Sequence, residues 1–346
     1  RKIYYISNET NSTNRELWSI NFDGSNKMKL SEKNGDNNPV FLTDLKYYIN
    51  TFSDINTPPT TALYETDSNK LIRIINNNDF LKTNIKNYFA GKKELSYFVN
   101  SKNDSLNISI YYPPDFNPYT KRYPLICAIY GGPGSQLVRN RWDIFEQPWH
   151  EFLAQNGYII ITIDPRGTGG KGANFKKSTY LNLGKLEYND IFELIYHFSH
   201  FRYIKWESIA ITGWSYGGFL SLYAYAEAQG MIKTSISIAP VTNWRFYDNI
   251  YTERYMRRPI DNPNGYTESS IINKVHLIRN NFLLIHGMFD DNVHLQNSLR
   301  LTSELIKCNK LFETVFFPDK NHSLTGKDTR LYLYKKIFEF ISNNLN

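Results

Sequence analysis

The chain has 346 residues, which is enough for one large domain or two moderate ones. Hydrophobic residues make up 41% and charged residues 21%, a balance that supports a packed core and excludes an intrinsically disordered protein. The net charge of +7 comes from lysines and arginines that are scattered among asparagines. Because they form no basic stripe, the composition argues against a nucleic-acid-binding role.

The cysteines and the chain ends leave the cellular compartment open. Cys127 and Cys308 are the only cysteines, too few for a disulfide framework. No apolar run reaches the ~18 residues of a transmembrane helix, and no signal-peptide pattern opens the chain. The sequence lacks an initiating Met and starts at Arg1 inside a predicted strand. We therefore expect a fragment of a longer protein.

The first ninety residues read as short strands separated by turns. Alternating apolar and polar residues predict the strands, and turn residues such as Asp23-Gly24 and Pro58-Pro59 separate them. The predicted strands are Ile3–Ile6, Glu16–Ile20, Lys46–Phe52, Ala62–Glu65 and Leu71–Ile74. Their spacing fits propeller blades and a small antiparallel sheet equally well.

From Tyr123 onward, compact apolar runs alternate with helical patterns. The predicted strands are 123–130, 158–163, 208–212, 234–239, 281–286 and 314–317, and the clearest helices are 187–199, 219–227 and 328–343. This alternation predicts an α/β fold with a mostly parallel sheet covered on both faces. Functional groups are then expected at the carboxyl ends of the strands.

Ser215 is the candidate nucleophile. It is the centre of Gly213-Trp214-Ser215-Tyr216-Gly217, which follows the strand 208–212 and precedes a helix. A nucleophile elbow requires this strand–turn–helix context, with glycines where the turn is crowded. The elbow exposes the serine hydroxyl and directs the backbone N–H of Tyr216 toward the reacting group.

A serine hydroxyl needs a base to take its proton, and His322 is the best candidate. In α/β folds built around a nucleophile elbow, the chain order is serine, acid, histidine, and the histidine lies on a loop after the last strand. His322 follows the strand 314–317, whereas His286 ends an apolar strand and is expected to be a structural histidine. The other histidines are His150, His197, His200, His276 and His294, of which His294 is a rival base.

The acid that orients His322 is expected in the loop after the strand 281–286. Asp290 and Asp291 both lie there, and the chemistry alone barely separates them. Asp319 is a third candidate, although its position three residues before His322 is more typical of a turn.

The oxyanion of a tetrahedral intermediate needs hydrogen-bond donors. The backbone N–H of Tyr216 is one. The second should come from the loop that begins Tyr130-Gly131-Gly132-Pro133. There the Tyr130 phenol is a candidate, and the alternative is that Tyr130 merely ends a strand.

Several motifs together resemble the prolyl oligopeptidase clan of serine peptidases, in the branch of dipeptidyl peptidase IV and fibroblast activation protein. They occur in the order and spacing of that family: 130–133, 164–169, 213–218, 247–248 with 251–256, 290–294 and 319–322. The resemblance is strong from Tyr123 onward and faint before it. It implies the last strands of a truncated β-propeller over residues 1–90 and an α/β-hydrolase catalytic domain of the S9 peptidase type over residues 91–346.

The resemblance also implies roles for individual residues. Ser215 is the nucleophile, Asp290 the acid, His322 the base and Tyr130 the side-chain oxyanion donor, with Tyr216 supplying its N–H. Asn292 binds a substrate carbonyl. A pocket for a penultimate proline is lined by Tyr216, Val241, Trp244, Tyr247, Tyr251 and Val293.

The activity implied by the resemblance is that of a serine dipeptidyl peptidase that releases X-Pro or X-Ala dipeptides from peptide amino termini through an acyl-enzyme. An oligopeptidase or acylaminoacyl peptidase with the same triad is an alternative, because we find no counterpart of the glutamate pair with which the family binds the substrate's amino terminus. A catalytically silent hydrolase-fold interaction protein is a third.

The chemistry implies no metal or organic cofactor, and no cluster of metal-ligating residues is evident in the sequence. The partners implied are peptide substrates, with no nucleic acid, and a homodimer by family analogy. The resemblance favours a membrane-anchored or secreted protein, with any anchor in sequence that precedes this chain.

Overall fold

The computed structural model describes residues 1–88 and 90–345; Phe89 and Asn346, which fall inside the two predicted domains, lie outside the described residues. The strands are β1 Lys2–Ser7, β2 Glu16–Asn21, β3 Met28–Lys29, β4 Asp36–Phe41, β5 Tyr47–Ser53, β6 Thr60–Glu65, β7 Leu71–Asn76, β8 Lys92–Val99, β9 Ser105–Tyr112, β10 Tyr123–Ile129, β11 Ile159–Ile163, β12 Ile204–Trp214, β13 Thr234–Ile238, β14 Phe282–Gly287 and β15 Glu313–Phe317.

The helices are α1 Asp79–Tyr88, α2 Glu146–Gln155, α3 Gly172–Lys177, α4 Lys185–Ser199, α5 Tyr216–Glu227, α6 Asn249–Met256, α7 Pro263–Glu268, α8 Gln296–Lys307 and α9 Lys327–Leu345. Two short 3₁₀ turns span Trp244–Phe246 and Ile272–Leu277. The residues divide into two compact units. One comprises 1–96, 109–114 and 138–156, and the other comprises 97–108, 115–137 and 157–346.

The first unit contains two antiparallel sheets, β1-β2-β3 and β4-β5-β6-β7. Sequential pairing of neighbouring strands is the pattern that the turn residues predict. The strand β4 was not among the predicted strands, and it contains Pro39, which has no N–H to donate within a sheet. Proline is tolerated there because β4 is the edge strand of its sheet.

The second unit is built on an eight-stranded sheet of order β15-β14-β13-β12-β10-β11-β9-β8, each strand of which lies at least partly in this unit. The strands from β15 to β11 pair in parallel. The residues of β11, β13 and β14 are buried throughout, as expected for a parallel sheet covered on both faces. The predicted α/β class with a mostly parallel sheet is thereby confirmed.

The sheet places the candidate catalytic residues at the carboxyl ends of its parallel strands. Ser215 directly follows β12, Asp290 lies in the loop after β14 and His322 lies in the loop after β15. Because parallel strands end at the same edge of a sheet, three segments far apart in sequence meet there. β12 begins at Ile204, four residues before the predicted start, but ends where the elbow needs it.

Candidate active site

Ser215 occupies a strained turn between β12 and α5. Its φ is 59° and its ψ is −117°, a backbone conformation that costs free energy in a residue with a side chain. The Ser215 N–H donates to the carbonyl of Ile238 at 2.8 Å, and the Ser215 carbonyl accepts from the N–H of Phe219 at 3.0 Å. These bonds hold the turn in place and leave the side chain half-buried.

Glycine is required on both sides of this serine. A Cβ on Gly213 would lie 2.3 Å from the carbonyl oxygen of Gly217, and a Cβ on Gly217 would lie 2.3 Å from that of Ile129. Both distances are to backbone atoms that cannot rotate away. The Gly-x-Ser-x-Gly pattern therefore reflects steric crowding at the elbow.

His322 and Asp290 are brought together from loops after β15 and β14. The His322 Nδ1 lies 2.7 Å from Asp290 Oδ2, and the Asp290 side chain is fully buried. The other carboxylate oxygen, Oδ1, accepts the N–H groups of Asn292 at 3.0 Å and Val293 at 2.8 Å. The carboxylate is thus held in one orientation, with Oδ2 directed at the imidazole.

The other two acid candidates have no such contact. Asp291 and Asp319 are both exposed, and Asp319 pairs with its neighbour Lys320 at 2.7 Å. Of the three carboxylates that the sequence offered, Asp290 is the one that the fold directs at His322.

Electrostatics favour an ionised Asp290. Burial by itself would raise the pKa of this carboxyl, but the hydrogen bonds from His286 and His322 outweigh burial and hold its pKa well below the ordinary value. The acid therefore carries its negative charge throughout the neutral range.

His286 contributes a contact that the sequence did not predict. Its ring is completely buried; Nδ1 lies 2.7 Å from the hydroxyl of Ser298, and Nε2 lies 2.7 Å from the carbonyl of Val293. Nε2 also lies 3.2 Å from Asp290 Oδ2. It is a satisfied core histidine, as expected, but it also contacts the same Asp290 oxygen that binds His322. Its position four residues before Asp290 was the only signal in the sequence.

Two groups are available to an oxyanion. Tyr216 is the first residue of α5, and the first N–H groups of a helix have no partner within it. The Tyr130 phenol is hydrogen-bonded to Ser215, and burial raises the pKa of Tyr130, so the phenol stays protonated and able to donate. The structure thus brings Tyr130 directly to the serine.

An aromatic cluster adjoins the elbow. Trp244 stacks on Tyr251 with ring centroids 6.0 Å apart, and Tyr247 meets Tyr251 edge-on at 5.3 Å. The Tyr216 ring joins them through Trp244, at a centroid distance of 5.4 Å. The four aromatic residues predicted to line a pocket are therefore neighbours in space.

The remaining predicted binding residues are placed as follows. Val241 and Val293 are buried. Asn292 is exposed, and its Oδ1 accepts a hydrogen bond from the Tyr247 phenol at 2.6 Å. Because Oδ1 is engaged by Tyr247, the Asn292 amide presents its Nδ2 donor on its other side.

Within residues 1–88 and 90–345, no three His, Cys, Asp or Glu side chains come together as a metal-binding group. The described helices include no segment with the length and apolar character that a bilayer crossing requires.

Comparison with protein families gives two matches. Residues 146–346 match the model of the prolyl oligopeptidase family. Residues 1–59 match the model of the dipeptidyl peptidase IV N-terminal region. The second match covers the antiparallel strands β1 to β5, which supports the prediction of propeller strands ahead of a hydrolase domain.

Curated relatives and solved structures agree with these matches. A probable dipeptidyl-aminopeptidase B of Aspergillus terreus is 34% identical over 99% of this chain, and one of Talaromyces marneffei is 34% identical over 98%. The crystal structure of Porphyromonas gingivalis dipeptidyl peptidase 4 superposes with a TM-score of 0.95 at 36% identity over 99% of the chain. The chain spans 38% of each curated relative and 48% of the crystallised chain.

Proposed function

This chain belongs to the prolyl oligopeptidase family, and we propose that it is the catalytic part of a serine dipeptidyl peptidase. The observation that carries the proposal is the convergence of Ser215, His322 with buried Asp290, and Tyr130 at one edge of the sheet. An acid–histidine pair and a phenol bonded to a serine on a strained elbow are the groups that acyl transfer uses.

In the proposed reaction, Ser215 Oγ attacks the carbonyl carbon of the scissile peptide bond while His322 takes its proton. Asp290 holds the imidazole and stabilises the imidazolium that forms. The oxyanion accepts hydrogen bonds from the Tyr130 phenol and the Tyr216 N–H. His322 then protonates the leaving amine, and water hydrolyses the acyl-enzyme by the same steps.

We propose that the aromatic cluster with Val241 and Val293 accepts the side chain before the scissile bond. A flat aromatic wall complements a rigid pyrrolidine ring or a methyl group and excludes long side chains. The Asn292 amide, oriented by Tyr247, donates to a substrate carbonyl. The substrate class is therefore peptides with Pro or Ala at this position.

We propose that the enzyme releases dipeptides and does not cleave internal bonds, because the relatives are named dipeptidyl peptidases and dipeptidyl-aminopeptidases. The same resemblance supports the proposed division into propeller strands over residues 1–90 and a catalytic domain over residues 91–346. A homodimer is proposed by family analogy alone.

The test is hydrolysis by protein produced from its full coding sequence. We expect a Gly-Pro chromogenic amide to be cleaved and the same substrate with an acylated amino terminus to resist cleavage. We expect Ser215→Ala to lower kcat by roughly 10⁴-fold or more and to abolish labelling by a fluorophosphonate, while Ser199→Ala, on α4, leaves both unchanged. Preference for the acylated substrate would favour an acylaminoacyl peptidase, and absence of labelling would indicate a silent hydrolase fold.

A further inference from the structure

A buried carboxylate lies directly behind the active-site elbow. Glu187, in the first turn of α4, is completely buried. Its Oε1 accepts a hydrogen bond from the phenol of Tyr216 at 2.7 Å, and its Oε2 accepts the N–H of Gly184 at 3.1 Å. Tyr216 directly follows Ser215, so one hydrogen bond connects this carboxylate to the residue next to the nucleophile.

Capping of α4 explains only half of this arrangement. A glutamate at the third helical position that binds the N-cap N–H is a common way to begin a helix, and the bond from the Gly184 N–H to Glu187 Oε2 satisfies that need. The bond to Tyr216 contributes nothing to capping. It joins α4 to α5 at the residue that carries both a proposed oxyanion N–H and one wall of the proposed pocket.

Aromatic side chains pack between the start of α4 and the elbow. Gly184 lies so close to α5 that a Cβ there would be 2.8 Å from the Phe219 ring and 3.1 Å from the Tyr223 ring. The Tyr216 ring contacts Phe219 at a centroid distance of 5.3 Å and Tyr130 at 6.2 Å. Glu187 therefore lies at the start of a helix that packs on aromatic rings, and those rings extend to the active site.

A second buried carboxylate on the same helix offers a contrast. Asp190 is also completely buried, but it binds Arg166 through two nitrogens at 2.8 and 3.0 Å and Asn100 at 2.8 Å. It has a cation for a partner, and Glu187 has a phenol. Asp190 thus forms a structural ion pair with Arg166, whereas the Glu187 carboxylate is directed at the elbow.

We propose that Glu187 is a positioning residue for hydrolysis: by holding the Tyr216 phenol, it fixes the Tyr216 N–H toward the oxyanion and the Tyr216 ring as a wall of the substrate pocket. This inference rests on the proposed function. The free energy of positioning is expressed when the transition state forms, so its loss lowers kcat as well as raising KM.

The charge of Glu187 makes the proposal sensitive to pH. Burial raises the pKa of Glu187 to about 7, although the bond from Tyr216 opposes the shift. The nearby titratable groups are Asp190 on α4, Tyr216 and Tyr223 on α5, and Tyr251 on α6. Burial also raises the pKa of Tyr216 well above its ordinary value, so this phenol remains the donor and the charge change belongs to the carboxyl.

The experiment compares Glu187→Gln, Tyr216→Phe and the double variant, with Asp190→Asn as the matched control, on a Gly-Pro chromogenic amide from pH 5 to 9. We expect each single variant at Glu187 or Tyr216 to lower kcat/KM about tenfold, as loss of one charge-assisted hydrogen bond predicts. The double variant should be no more impaired than the more impaired single variant, because both changes remove the same charge-assisted bond.

The pH profile separates positioning from stability. We expect the acidic limb of log kcat/KM to fall more steeply in the wild type than in Glu187→Gln, whose amide does not titrate. Asp190→Asn should lower the melting temperature but keep kcat/KM at neutral pH within about twofold, because it leaves the Glu187–Tyr216 bond intact. Its acidic limb should persist and move to lower pH, since the Asp190 charge contributes to the raised pKa of Glu187.

The inference is overturned if Glu187→Gln behaves like Asp190→Asn, or if the losses in the double variant add. Should Glu187→Gln fail to fold, Tyr216→Phe breaks the same bond from the other side and decides the question with its kcat and KM. Absence of wild-type hydrolysis of every peptide substrate would instead contradict the proposed function, so the two failures are distinguishable.

Discussion

The indole N–H of Trp214 donates a hydrogen bond to the backbone carbonyl of His322 at 3.0 Å. The residue before the proposed nucleophile therefore holds the loop that carries the proposed base, although the two are far apart in sequence. Arg330 of α9 lies over the Trp214 ring at 4.9 Å and donates to the Ser323 carbonyl at 2.7 Å. The elbow and α9 thus fix the histidine loop from two sides.

Replacing Trp214 by Phe should impair catalysis without unfolding the protein. Phe keeps a ring for Arg330 to contact but removes the N–H, so the His322 loop loses one restraint worth about 0.5–1.5 kcal/mol. We expect kcat/KM to fall about two- to tenfold, measured with a Gly-Pro chromogenic amide. Trp206→Phe, at a residue on the same strand that is 64% exposed, is the control. Equal kinetics for the two variants would contradict this prediction.

The neighbouring aspartates provide a matched pair of variants. Asp290→Asn keeps the size of the side chain but removes the charge and lets an amide face His322 Nδ1, which favours the wrong tautomer. We expect kcat to fall about 10⁴-fold, as in serine proteases that lose this carboxylate. Asp291→Asn, at an exposed side chain, should keep kcat within about twofold. A larger loss at Asp291 would reverse the assignment of the acid.

The lowered pKa of Asp290 also predicts how folding stability depends on pH. A carboxyl whose pKa is lower in the folded state than in the unfolded state stabilises the fold above its unfolded pKa, and this contribution is lost as pH falls through the folded pKa. The stability difference between wild type and Asp290→Asn should therefore shrink as pH falls below about 4. Urea unfolding at each pH measures it. A difference that grows on acidification would contradict the lowered pKa.

Tyr130→Phe tests the side-chain oxyanion donor. The phenyl ring keeps the packing of Tyr130, but the hydroxyl that is bonded to Ser215 is lost. We expect kcat to fall about 10²- to 10³-fold, the usual effect of deleting one oxyanion donor, with a much smaller change in KM. Tyr119→Phe, at a side chain that is 94% exposed, should match the wild type. A change confined to KM would make Tyr130 a binding residue only.

What the sequence determined by itself was local. The strand–turn–helix around Ser215 was predictable because the Gly-x-Ser-x-Gly pattern lies between a strand and a helix that local periodicity predicts. The crowding at Gly213 is local, since it involves Gly217, whereas the crowding at Gly217 involves the distant Ile129 and is visible only in the fold. The alternating apolar runs predicted the parallel sheet, since strand and helix periods are local properties. Strand β4 escaped because Pro39 is acceptable only on an edge strand, and the edge is a property of the whole sheet.

The tertiary structure alone decided which polar side chains meet. Asp290 and Asp291 are the same type of residue and adjacent in the sequence, but Asp290 is buried against His322 and Asp291 faces solvent. Glu187 carried no signal beyond a helix-capping spacing, and its bond to Tyr216 arises from the packing of α4 against α5. Hydrogen bonds between distant segments depend on distances of a few tenths of an ångström, and only the packed fold sets those distances.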